Sequence, residues 1–91
     1  MLTKQTIKKL NLNDWRILNL FYRSPGWRRD SYTLDEIRLD RKITKLQARH
    51  SLRKLQTLQL IKVLNSALNF YLPIDNEILR EDIISYYNNY F

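Results

Sequence analysis

The sequence has no cysteine, one glycine (Gly26), one histidine (His50) and two prolines (Pro25 and Pro73). Without cysteine there is no disulfide framework and no thiolate metal site. A single histidine has no partner with which to hold a metal, so no cofactor or metal is expected. So little glycine and proline leaves no repeat, low-complexity tract or linker, and 91 residues suit one domain. No apolar run reaches the length of a signal h-region or a membrane span. The opening MLTKQTIKKL breaks up its apolar residues with lysine and glutamine. Hydrophobic content of 44% with 12% aromatics argues for a folded chain of intracellular character.

Acid is also missing from one long stretch. No Asp or Glu lies between Arg41 and Lys62, and residues 41–56, RKITKLQARHSLRKLQ, carry six Lys or Arg. The net charge of +7 is segregated. Residues 1–74 hold 15 Lys/Arg against 5 Asp/Glu, whereas residues 75–91 hold Arg80 against Asp75, Glu77, Glu81 and Asp82. A basic body with an acidic tail implies one surface for an anionic partner and another for something else.

What is present are helix starts. Asn13 is placed to cap a first helix, with Leu12 and Ile17 at hydrophobic-staple spacing, and Ser24-Pro25-Gly26 ends it. Thr33-Leu34-Asp35-Glu36 and Thr44-Lys45-Leu46-Gln47 read as capping boxes for a short second helix and for a third from Lys45 to about Leu58. Asp75 is placed to cap a fourth, staple-flanked by Ile74 and Leu79. LIKVLNSALNFYLP between helices three and four reads as a short β-hairpin, with Ser31 and Tyr32 able to add a third strand. The link between helices two and three has the length of a helix-turn-helix turn. The expected fold is mainly α with a small β-hairpin and an added C-terminal helix.

On a helical wheel with Ala48 at 0°, Leu52, Leu55 and Leu58 form one stripe centred near about 340°, while Arg49, Arg53, Thr57, His50 and Lys54 take the opposite side. One face packs and the other stays basic. A solvated face would mix signs, because like charges three and four apart repel. An unmixed basic face therefore implies a compensating polyanion. Arginine and glutamine suit bidentate contacts with base edges, so Arg49, Gln47 and Lys45 are the candidate base readers. Arg41, Lys42, Arg53 and Lys54 suit phosphates, and Thr44 and His50 complete the set. Arg28 and Arg29, with Lys4, Lys8 and Lys9, would widen the footprint. Leu46, at about 160°, is off the core stripe. Packing against the preceding turn is the favoured reading, and contact with a thymine methyl is the other. For Trp15, core packing is favoured over base stacking.

TLDEIRLDRKITKLQARHSLRKLQTLQLIKV resembles the helix-turn-helix of winged-helix DNA-binding domains of the MarR and PadR type. The resemblance covers about residues 12–74. SLRKLQTLQLIKV matches the end of the reading helix and the entry to the wing. It implies a winged helix-turn-helix with Leu52, Leu55, Leu60 and Ile61 in the core and the exposed face of helix three in the major groove. The chain departs from the pattern at Gln59, where these families carry glycine, and in LNSALN, where their wing tip is often basic.

Residues 1–11 are then a basic arm, residues 12–74 the domain and residues 75–91 a C-terminal helix. Leu79, Ile83, Tyr86 and Tyr90 follow a heptad-like spacing, widened by Ile84, Tyr87 and Phe91. PadR-like proteins tend to dimerise through such a helix, and the expected dimer interface is Leu79, Ile83, Tyr86, Tyr87 and Tyr90. The function expected is sequence-specific binding of double-stranded DNA by a homodimer, as a cytoplasmic transcriptional regulator, nucleoid-associated or in a host's cytoplasm if carried by a virus or plasmid. The alternative is a winged-helix protein–protein module in a larger complex. An enzyme is not expected, since Asp35, Glu36, Asp75 and Glu77 all lie at helix starts and there is no glycine loop. Nor is a membrane or a small-molecule ligand expected as partner.

Overall fold

A computed structural model describes residues 2–23, 31–65 and 70–91. The chain runs α1 (Lys4–Lys9), α2 (Leu12–Tyr22), β1 (Tyr32–Thr33), α3 (Leu34–Arg41), α4 (Lys45–Thr57), β2 (Ile61–Asn65), β3 (Phe70–Pro73) and α5 (Glu77–Tyr90). It is mainly helical, with a three-stranded antiparallel sheet in the order β1-β3-β2. β3 lies between its neighbours, pairing Tyr71 with Tyr32 on one side and with Val63 on the other.

The caps at Thr33 and Thr44 form as the sequence indicates. Each hydroxyl accepts from the backbone N–H three residues on, and Glu36 and Gln47 reach back to the cap residue's own N–H. The other two starts shift. α2 is capped by Asn11 rather than Asn13, and its reciprocal partner is Asp14. That leaves Leu12 outside the core at the first helical position, so no Leu12–Ile17 staple exists. Leu10 instead takes the position before the cap and packs on the core. α5 is capped by Asn76, whose side chain accepts from Leu79 N, rather than by Asp75. The stretch 1–11, expected as an arm, contains α1, capped by the Thr3 hydroxyl.

α2 is the central helix. Trp15, Ile17, Leu18, Leu20, Phe21 and Tyr22 are all buried, against Ile37 of α3, Leu52 and Leu55 of α4, Leu60 and Ile61, and Leu79 and Ile83 of α5. Each buried aliphatic side chain contributes about 1.5–3 kcal/mol. Trp15 is thus a core residue, stacked on Tyr86 at 4.5 Å.

α4 ends in a Schellman turn. Leu60 N–H donates to Leu55 O and Gln59 N–H to Gln56 O, with Gln59 at φ 60. The left-handed exit that glycine makes easily is here imposed on glutamine, at about 1 kcal/mol. The turn places Leu60 and Ile61 in the core directly after the helix. Lys42 makes a second left-handed exit, at the end of α3.

Tyr22 ties three parts together. Its hydroxyl donates to Leu60 O at 2.6 Å and accepts from Ile74 N at 3.0 Å, joining α2 to the segments after α4 and before α5. Arg80 of α5 donates to Tyr22 O and lies over the tyrosine ring. Burial pushes the phenol up to about 12, against the opposing pull of the Ile74 hydrogen bond and of Arg80. A pKa raised on folding contributes stability that is full below pH 10 and lost as pH rises through about 12. Tyr22→Phe orphans the buried Leu60 carbonyl and the part-buried Ile74 N–H, so the expected loss at neutral pH is about 1–3 kcal/mol. It should also remove the steep fall in stability between pH 10 and 12. Urea titrations of both proteins at several alkaline pH values check both effects.

Candidate nucleic-acid interface

α3 and α4 are joined by three residues, Lys42, Ile43 and Thr44. Ile43 packs on the core, and Ile43 N–H closes the end of α3 by donating to Arg38 O. α4 is held by Ala48, Ser51, Leu52 and Leu55, all buried on one side. Its other side presents Lys45, Leu46, Arg49, His50 and Arg53 to solvent, as the wheel indicates. α2, α3 and α5 each carry an acid in the first turn, whereas α4 carries none. Its positive helix end and its cations therefore stand together without a negative neighbour on the helix.

Several expected contact residues are already committed. Lys54 is not a cation turned out for phosphate. Its ammonium lies 2.7 Å from the fully buried Asp14 Oδ2 and 3.1 Å from Lys9 O, fastening α4 to the start of α2 and the end of α1. Asp14 Oδ2 also accepts from Asn11 N, while Oδ1 has no partner among the described residues. Arg41 is likewise largely covered. It pairs with Asp40 and donates to Arg16 O, and Arg16 in turn donates to Arg41 O at 2.6 Å. These contacts lock the end of α3 onto α2. Thr44 Oγ1 and Gln47 Oε1 are engaged in the capping box, so the Gln47 amide nitrogen is the end left for an outside contact. Arg28 and Arg29 lie outside the described residues, as does most of the hairpin turn.

Leu46 does not pack on the preceding turn, since 67% of it is exposed. It lines one shallow depression with Arg49, His50 and Arg53. It lines a second with Asn11, Asn13, Gln47, His50, Ser51 and Lys54. Asn11 and Asn13 are the residues that sequence reasoning missed. Their nearness to α4 depends on how α2 crosses it, and no local pattern signals that. Lys54 holding Lys9 O also brings the end of α1, with Lys8 and Lys9 exposed, beside α4.

Most of the apolar seam of the acidic helix is used within the chain. Leu79 and Ile83 are buried in the core of their own chain, so they are not available to a second copy. Tyr86 and Tyr87 are half-covered by the same domain. Only Tyr90 of the expected interface is exposed, at 68%, and it stacks on Tyr86.

Among the described residues, no helix is long and apolar enough to cross a membrane, and no group of three His, Cys, Asp or Glu stands together. Fold and surface define a class: a mainly helical domain with a small antiparallel sheet that presents one basic helix face. Comparison with protein-family models, with curated proteins and with solved structures finds no match to the chain.

Proposed function

We propose that the chain is a winged helix-turn-helix that binds double-stranded DNA, with α4 in the major groove and a role in transcriptional regulation. The observation that carries this reading is the outer face of α4. It exposes Lys45, Arg49, His50 and Arg53 around one leucine, with no acid on the helix, while the opposite face is buried. The three-residue turn from α3, the strand pair after α4 and the small third strand support it, because their order along the chain is that of a winged helix-turn-helix. Arg49 is the reader of a guanine edge, with Lys45 and the Gln47 amide nitrogen beside it. Arg53 and Lys42 hold phosphates.

Duplex affinity is expected to fall steeply with salt, because each phosphate neutralised releases counterions. Arg49→Ala should flatten discrimination between the best duplex and single-base variants by about 1–3 kcal/mol, and Arg53→Ala should lower the salt slope by about one. Fluorescence anisotropy over a salt series measures both. Affinity that does not change from low to moderate salt would overturn the reading. Pairing of two copies remains part of the proposal, now through the exposed end of α5, where Tyr90 and Phe91 offer aromatic surface.

A further inference from the structure

We infer that Leu46 reads the 5-methyl group of a thymine, and so makes the preferred site one with a thymine at a fixed place beside the base read by Arg49. The inference rests on the duplex-DNA reading of α4. Leu46 is the second residue of α4, in the leading turn that a reading helix carries into the major groove. On the wheel it lies at about 160°, directly opposite the core stripe centred near about 340°. It is therefore the side chain of α4 aimed most squarely away from the protein, and 67% of it is exposed.

A leucine exposed to this extent gains little from its own fold, and its surroundings restrict what can cover it. Arg49, His50 and Arg53 share its depression, so the partner must be anionic around the point of contact. The apolar group it meets is also small, because neither depression that Leu46 borders is lined by a second hydrophobic residue. A protein partner would use a larger apolar cluster at this point. The major groove of DNA combines both demands, since phosphates flank the groove and the thymine methyl is the apolar group on its floor. His50 lines both depressions that Leu46 borders, and Asn11 and Asn13 line one of them, so the leucine stands in a polar and cationic rim. The methyl is absent from uracil, so the contact also favours DNA over the same sequence with uracil.

The test uses the full chain and the duplex selected by it from a random pool, with each thymine replaced in turn by deoxyuridine. One replacement per half-site is expected to weaken binding about fourfold, the equivalent of ~0.8 kcal/mol for one methyl group removed from an apolar contact. Leu46→Ala should bind the thymine and uracil duplexes alike, and Leu46→Met, which restores apolar reach, should recover the preference. Thermal melts of the two variants matching the unsubstituted protein would confirm that a surface contact alone has changed. If every uracil duplex binds within twofold of the parent, or if Leu46→Ala keeps the full sensitivity, the assignment is wrong. Steep salt dependence without uracil sensitivity overturns only the role of Leu46. Absence of duplex binding at any salt overturns the DNA reading and this inference together.

Discussion

Lys54→Met is expected to lower stability by about 3 kcal/mol, because it strands the buried Asp14 carboxylate without its counter-charge. The value belongs at the low end for buried pairs, since the Lys54 side chain is itself 36% exposed. For a domain of this size it corresponds to a fall in melting temperature of roughly 12–24 °C. The methionine keeps the length and apolar stem of lysine, so the loss reports the charge rather than the packing. Asp14→Asn alone should cost less, since Lys54 can then turn to water and the amide oxygen still serves the cap. Adding Asp14→Asn to Lys54→Met should restore much of the loss, because the stranded charge is gone. A double-mutant cycle by calorimetry measures the coupling. Losses that simply add would show that the two groups do not act as a pair. The experiment also separates two roles, since a lysine that served only phosphate would leave the melting temperature unchanged.

Ile83→Asp should remove much or all of the chain's stability rather than release an otherwise unperturbed monomer. Ile83 is fully buried among α2 and the rest of α5, and a carboxylate there has no partner within the apolar core. The expected loss is at least about 4 kcal/mol, the range in which buried unpaired charges fall. A chain of this length has roughly 5–14 kcal/mol in total. Far-UV circular dichroism at neutral pH checks this directly, and a variant with native helicity and an unchanged melting curve would contradict the buried placement. Tyr90→Asp is the contrasting change. At an exposed end of α5 it should keep the melting curve and, if two copies pair there, shift the protein to monomer by light scattering. A dimer that survives Tyr90→Asp removes the α5 end from the proposed pairing. A monomer before any substitution removes pairing from the proposal altogether.

Local rules determined a good part of this protein. The capping boxes at Thr33 and Thr44 depend on three-residue spacing, and both form as spaced. The division of α4 into a packed side and a basic side follows from its 3.6-residue period, and Ala48, Leu52 and Leu55 are buried while Arg49, His50 and Arg53 are not. The hairpin and the added strand at Tyr32 also follow from local composition. Even the misplaced start of α2 had a local signal, since Asn11 and Asp14 stand at capping-box spacing with aspartate in place of glutamate.

Tertiary structure decided what each surface residue is for. Lys54 sits at the edge of the basic arc on the wheel, but that angle does not say which group it meets. Asp14 is 40 residues away, and only the packing of α2 against α4 makes Lys54 a structural cation. The seam of α5 was visible as a spacing, but a spacing does not state which partner covers it. The chain's own α2, apolar around most of its girth, takes Leu79 and Ile83 for the core. Leu46 shows the same division in reverse. Its outward angle on the helix is legible in the sequence, but only the tertiary structure decided that the preceding turn leaves it uncovered.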